Sequence, residues 1–448
     1  MDPRSPAPAA TPLPVTVRDV AAAWWPLAAS WLMMAMELPV VSAVVARLAH
    51  PEIHLAAYGG VVFPISLVVE APIIMLLAAS TALSRDGDSY ARLRRFTLCS
   101  AGLLTVIHVL IAATPLYDLI VDHVLHSPPA VRHPGRIGLL IMTPWTASIA
   151  YRRFQQGVLI RFGRSKLVGA GTAVRLVANF SILAAGYLLG SVPGIIVAAS
   201  AVAAGVLSEA AFIGVAVRPV AARLRTLERT GPVLTLGRIL RFYVPLALTP
   251  LLALLGQPLV ASGLGRMPLP LESLATWPVI NGLVFSLRST GFAFNEVVVA
   301  LLERTGASRA LRRFSVLLAA ATTLILFVLA ATPLGWFWFA TVSHLEAPLA
   351  AMGTRALWLA LPLPALSVFQ SWYQGNMVHA RRTRGISEAM AFSLTAIFAA
   401  LWAGIHAETI PGLQVAVGAM SVGGIVQVVW LAVRSRSETP LPIPSPER

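Results

Sequence analysis

Long apolar runs alternate with short polar joints from one end of the chain to the other. Apolar stretches fall at about 22–46, 55–83, 97–120, 137–160, 167–190, 193–217, 239–264, 273–302, 311–332, 354–378, 386–405 and 410–433. About 20 apolar residues cover the hydrocarbon core of a bilayer as a helix. The pattern therefore predicts an all-α polytopic membrane protein of 12 transmembrane helices.

The runs repeat. Trp25 to Arg47 (WPLAASWLMMAMELPVVSAVVAR) lines up with Val244 to Arg266 (VPLALTPLLALLGQPLVASGLGR), placing Pro26, Pro39 and Arg47 on Pro245, Pro258 and Arg266 at an offset of 219. Leu93 to Phe96 (LRRF) returns at Leu311 to Phe314, Ala113-Thr114-Pro115-Leu116 at Ala331 to Leu334, and Pro144 and Gln156-Gly157 at Pro362 and Gln374-Gly375. Each half holds six spans, so both halves sit the same way up and are related by an axis along the membrane normal. The expected organisation is a disordered cytoplasmic N-terminus (1–21), a six-helix lobe (22–217), a basic amphipathic connector (218–238), a second six-helix lobe (239–433) and a disordered cytoplasmic tail (434–448). In a membrane protein, a doubled bundle of this kind points to a transporter with a central site.

Composition agrees with the pattern. Apolar residues make up 57% of the chain and charged residues 12%, with mean hydropathy +0.76. That is more apolar surface than a soluble domain hides. The net charge of +15 suggests a nucleic-acid partner until it is placed on the spans. With both termini cytoplasmic, the inner segments hold 25 Lys and Arg, the outer loops five and the spans four. The positive-inside rule thus absorbs most of the basicity as orientation and argues against nucleic acid. The connector lies near anionic membrane lipid. Arginine outnumbers lysine 33 to one, which suggests a GC-rich bacterial genome and hence a bacterial inner membrane. The N-terminus does not read as a signal peptide. Cys99 is the single cysteine, and the histidines are scattered with His108 alone in a span, so a metal site is not expected. Nothing resembles a phosphate-binding GxxxxGK[ST] loop, and nothing suggests an enzyme or a bound cofactor beyond a coupling proton or sodium ion.

Charged residues inside spans are costly, so they are candidates for function. Glu37 precedes Pro39 by two residues and Glu70 precedes Pro72 by two; Glu209 and Glu296 lie in spans 6 and 8. A proline frees a carbonyl one turn earlier. A carboxylate beside it can share a cation with that carbonyl or carry a proton. These four are ion-coupling candidates, Glu37 and Glu70 foremost. The alternative is that they form structural ion pairs with Arg152, Arg153 or Arg175. Arginine grips carboxylates and phosphates by paired hydrogen bonds. Arg288 in mid-span 8, with Arg152, Arg153 and Arg175, would suit a small multivalent anion. Of the adjacent pair Arg152 and Arg153, one at most is expected to face a cavity squarely, the alternative being snorkelling to the headgroups. Arg288 and Glu296 share a helical face. Gln156, Gln374, Asn179 and Asn295 add neutral contacts for a cargo or glue between helices. The repeated Gln-Gly reads better as a packing device. Trp24, Trp25, Trp31, Trp336 and Trp338 read as interface anchors.

The proline-leucine starts of spans 1 and 7, Pro39 and Pro258, the basic loops after spans 2 and 8, and Pro144 to Ser165 (PWTASIAYRRFQQGVLIRFGRS) resemble the multidrug and toxic compound extrusion (MATE) family. The wider superfamily includes lipid-linked sugar flippases. Within it the chain looks most like bacterial relatives of the progressive ankylosis protein. The Trp25-Pro26-Leu27 entry supports this, as does the lack of the span-1 aspartate of multidrug exporters. The resemblance covers about residues 22–433 and implies a monomeric exporter of organic or phosphorylated anions such as citrate, ATP or pyrophosphate. Two rival readings remain: a proton- or sodium-coupled exporter of cationic drugs, and a lipid-linked saccharide flippase.

Overall fold

The structure, a computed structural model, describes residues 14–228, 232–380 and 384–436. All regular structure among the described residues is helical. Twelve rods run in chain order: Val17–Val45, Pro51–Leu83, Gly87–Ala113, the pair Pro129–Ile141 and Thr143–Arg161, Ser165–Leu189, Gly194–Ala216, Leu236–Arg266, Pro270–Leu301, Ala307–Ala331, the pair Ala347–Ala360 and Pro362–His379, Arg384–Ala407, and Gly412–Arg436. We number them spans 1 to 12. Ten are long and apolar enough to cross a membrane by themselves, and the pair in span 10, bent by 41°, makes eleven. Span 4 falls short because Arg152, Arg153, Gln155 and Gln156 sit in its middle.

The repeat is written into the backbone. Span 1 breaks at Met36 and span 7 at Leu255, equivalent positions three residues ahead of Pro39 and Pro258. Each proline lacks the N–H that would bond the carbonyl four residues earlier, so the ladder opens there. Left-handed residues also come in pairs: His50 (φ 52) with Leu269 (φ 55), His126 (φ 52) with His344 (φ 54), and Glu408 (φ 51) with Gly190 (φ 64). Such values are strained for residues with a Cβ. Their recurrence at the same point of each half marks a shared chain path.

Spans 1 and 7 do not stay within their own halves. Val20 is packed among Phe294, Val298, Leu311 and Phe314 of spans 8 and 9. Trp24 donates its indole N–H to the Thr290 carbonyl at 2.9 Å and meets the Phe314 ring edge-on at 5.4 Å. Its repeat-mate Tyr243 donates its hydroxyl to the Pro72 carbonyl and meets the Phe96 ring at 5.2 Å. Every partner in one set is the repeat-mate of its counterpart in the other. The first halves of spans 1 and 7 are thus exchanged between the bundles, which modifies the expected lobes at 22–217 and 239–433. It also corrects the interface reading of Trp24, a packing residue here, and of Trp31, whose ring lies 6.2 Å from that of Phe292.

Helix ends differ modestly from expectation. Span 1 starts at Val17, inside the segment expected to be disordered, because Thr16 and Asp19 form a reciprocal cap with bonds of 2.9 and 3.3 Å. Span 7 starts at Leu236, where Thr235 caps it, and span 12 runs to Arg436. The rest of both expected disordered ends, 1–13 and 437–448, lies outside the described residues. The connector forms a helix at Arg218–Thr226 that buries Val220, Ala221 and Leu224, as an amphipathic segment should. Spans 2, 6 and 8 are well enclosed, while spans 3, 5, 7 and 11 turn most of their surface outward. The start of span 1, the end of span 12 and the basic loops share one face, here the basic face; the opposite end is the far face.

Candidate functional site

A cavity of about 300 Å³ lies among spans 1, 2, 4, 5 and 6, with spans 7 and 8 lining its remaining side. The breaks in spans 1 and 2 position two of its acids. Glu37 is the first residue after the Met36 break, and Glu70 ends a helix where Ala71–Ile73 tightens into a 3-10 turn. Glu37 accepts from the Arg175 guanidinium and, at 2.7 Å, from the Asn179 amide. Glu209 accepts from Arg152 and, at 2.9 Å, from the Gln156 amide. Both pairs are buried, so each charge needs its partner. Glu70 accepts instead from the indole N–H of Trp145. Arg153 lines the same cavity within electrostatic reach of Glu70.

Arg152 and Arg153 therefore both line the cavity, against the expectation that at most one would. Arg152 is held by Glu209, whereas Arg153 has no carboxylate within 4.0 Å among the described residues. Arg152, in a buried ion pair, does not snorkel.

The far side of the site is sparse. Span 7 supplies Leu254 and Gln257, and span 8 supplies Asn281 and Phe285. Arg288 stands one turn beyond Phe285, over the Phe292 ring at 5.3 Å, with its buried Nε unpartnered. Neither Arg153 nor Arg288 has a carboxylate within 4.0 Å among the described residues. Glu296 shares a face with Arg288 in sequence, yet it is exposed and apart from the cavity. Two turns of helix separate them by about 12 Å, too far for an ion pair. The corresponding space in the second half is filled by Trp277, Leu363 and Met420, leaving about 10 Å³.

The neutral candidates divide. Gln156 and Asn179 hold the carboxylates. Asn295 donates to the Ser371 carbonyl at 3.3 Å and ties span 8 to span 10. Gln374 is half-buried and lies outside the central cavity. The repeated glycines are close-approach points: a Cβ on Gly157 would meet the Ser80 Cβ at 2.7 Å, and one on Gly375 the Val298 Cβ at 2.7 Å. His108 is a buried packing residue bonded to the Leu139 carbonyl at 2.9 Å. Sequence reasoning missed Trp145 and Tyr58. The one usable signal was a tryptophan directly after Pro144 in a span already rich in arginine.

On the far face the two halves are tied by a reciprocal pair of contacts. Arg47 donates to the Thr341 and Val342 carbonyls at 3.0 and 2.9 Å, and Arg266 reaches the His123 and Val124 carbonyls at 3.5 Å. The accepting carbonyls end equivalent π-helical turns, Ile120–Val124 and Phe337–Val342.

Solved structures share this fold. An inward-facing multidrug resistance transporter of the MATE family superposes with a TM-score of 0.70 at 16% identity, over 92% of this chain and 98% of that one. The fold is the MATE fold. The lipid II flippase MurJ in an inward closed conformation matches with a TM-score of 0.60 at 12% identity, over 90% and 87% of the two chains. A transporter of the wider MOP superfamily from Pyrococcus furiosus, described as having a binding pocket of reverse polarity, matches at 0.56 and 16% identity, over 94% and 97%. No protein-family model matches the sequence, and no curated protein does. Among the described residues no cluster of histidine, cysteine, aspartate or glutamate could hold a metal ion. The MATE fold here thus carries a charged site confined almost wholly to one half.

Proposed function

We propose that the chain is a secondary transporter that rocks its two lobes about this cavity and exports a small organic or phosphorylated anion of the citrate or pyrophosphate kind. The observation that carries the reading is the division among the four intramembrane arginines. Arg152 and Arg175 are held by Glu209 and Glu37. Arg153 on span 4 lines the cavity, and Arg288 on span 8 stands one helical turn beyond the lining residue Phe285; neither has a carboxylate within 4.0 Å among the described residues, and they come one from each lobe. An anion between them would be gripped by planar, two-pronged donors where little water competes. The MATE fold supports alternating access, and the reversed pocket polarity described for the Pyrococcus furiosus transporter fits a fold that does not dictate the sign of its cargo. In this reading the protein is a monomeric carrier in a bacterial inner membrane, its basic face toward the cytoplasm, with Glu70 as the coupling group for a proton or sodium ion.

The test is uptake of labelled citrate, with pyrophosphate as competitor, into proteoliposomes. Saturable flux that falls more than tenfold in both Arg153→Ala and Arg288→Ala, at unchanged melting temperature, supports the anion carrier. Flux at the empty-liposome level, or flux indifferent to both substitutions, rejects it. A second reading draws on the aromatic lining, Tyr58, Phe63, Trp145 and Phe285 around Glu70, which would suit an organic cation. Cation efflux lost in Glu70→Gln but kept in Arg288→Ala would favour it.

A further inference from the structure

Span 3 and the connector helix Arg218–Thr226 meet at the basic face, and none of the residues that line the spaces there lines the central cavity. A space of about 520 Å³ where they meet spans 4 and 6 is lined by Tyr90, Arg94, Tyr151, Arg218 and Arg225. A second space of about 340 Å³ shares Tyr90, Arg94 and Arg225 and continues to Leu98 and Cys99. None of these three arginines has a carboxylate within 4.0 Å among the described residues. By contrast Arg92, on the neighbouring face of span 3, is tied to Asp88 at 2.9 Å. Three guanidiniums that border one space with no carboxylate within 4.0 Å repel one another, and an anion between them would relieve that repulsion.

We propose that this junction binds the phosphate headgroup of an anionic phospholipid. Guanidinium forks match phosphate oxygens, and the tyrosine hydroxyls add donors beside them. The acyl chains have a track of their own. Below the arginines, Cys99, Leu103, Val106 and Leu110 recur at intervals of four, three and four residues on span 3, all exposed. That stripe runs from the headgroup pocket straight down the outer surface of the bundle, as a bound lipid would. The connector is firmly seated to complete the pocket: Val220 and Leu224 are buried beneath it. It approaches span 3 so closely that a Cβ on Gly87 would meet the Leu224 carbonyl oxygen at 3.1 Å. The lipid would bridge span 3 to the segment that joins the two halves of the chain.

The experiment is native mass spectrometry of the full chain in neutral detergent, titrated with phosphatidylglycerol, phosphatidylcholine or glycerol 3-phosphate. We expect one phosphatidylglycerol to be retained per protein in preference to phosphatidylcholine. Arg94→Gln with Arg225→Gln should weaken it about 25-fold, roughly fivefold per arginine. Arg238→Gln with Arg241→Gln, the same charge removed elsewhere on that face, should leave it unchanged. Equal weakening by both double variants would mean diffuse attraction and overturn the site, as would equal retention of phosphatidylcholine. Glycerol 3-phosphate binding as tightly as the lipid would overturn the acyl track and assign a soluble phosphate. Arg94 and Arg225 are exposed, so their loss leaves the fold intact, which melting temperatures check. The readout needs no transport and stands whatever the cargo of the central cavity is.

Discussion

Arg47 and Arg266, 219 positions apart, make the same contact in opposite directions across the far face. Each guanidinium reaches from one half to the carbonyls that end a π-helical turn of the other. Carbonyls at a helix end attract a cation; the Arg47 contacts at 3.0 and 2.9 Å are charged hydrogen bonds of a kind that contributes about 1.5–3 kcal/mol, and the Arg266 contacts at 3.5 Å are weaker. The two contacts form a seal. Arg47→Ala with Arg266→Ala should raise the far-face-open population about tenfold or more. The check is a lone cysteine at cavity-lining Asn281, in a Cys99→Ser background, challenged with an impermeant thiol reagent from the far face. Labelling no faster than in the otherwise unchanged protein would show that the seal lies elsewhere.

The buried pair Arg152 and Glu209 should act as a unit. Glu209→Leu alone strands a guanidinium in the span and should lower stability by about 3–5 kcal/mol. Adding Arg152→Met should restore most of the loss, because neither charge is then left unpaired. Thermal melts in detergent read both, and an uncoupled, additive pair of losses would contradict the geometry.

Glu70 differs from the other two acids because its hydrogen-bond partner is neutral. Glu70→Gln keeps an acceptor for the Trp145 indole, so the melting temperature should stay within a few degrees of the parent. If Glu70 carries the coupling ion, flux in this variant should lose its dependence on an imposed pH or sodium gradient. A gradient response identical to the parent's would remove Glu70 from that role.

The repeated glycines should be equally intolerant of a side chain. Gly157→Val would press span 4 into span 2 and Gly375→Val would press span 10 into span 8. Overpacking of this kind costs about 1–3 kcal/mol and more where backbone must move. Lowered expression and melting temperature in both variants, by similar amounts, is the expected result.

Much of this was legible in the sequence because it is local or repeated. Pro39 and Pro258 announce the breaks at Met36 and Leu255, since a missing N–H acts within one turn. The repeat itself announced two bundles of one plan. What escaped depends on which distant helices meet. Glu37 finds Arg175 across 138 positions and Arg152 finds Glu209 across 57, and helical periodicity within one span says nothing about such register. The intramembrane charges were visible, but their division into paired and free was not. Trp24 and Tyr243 were aligned by the repeat, yet an aromatic near a span end reads the same whether it faces headgroups or a neighbouring helix. Glu296 misled for a related reason: a shared helical face does not bring two side chains within reach when two turns separate them.

The confinement of charge to one half has an electrical consequence. Glu37, Glu70 and Glu209 stand with Arg152, Arg153 and Arg175, three carboxyl groups against three guanidiniums, whose charges cancel when every one of them is charged. Moving one elementary charge through 100 mV of membrane potential involves about 2.3 kcal/mol. A lobe whose fixed charges cancel does almost no such work as it rocks. The voltage felt by the cycle is then set by Arg288 and by whatever ion and cargo occupy the cavity, so current measured per turnover counts the charge of the passengers.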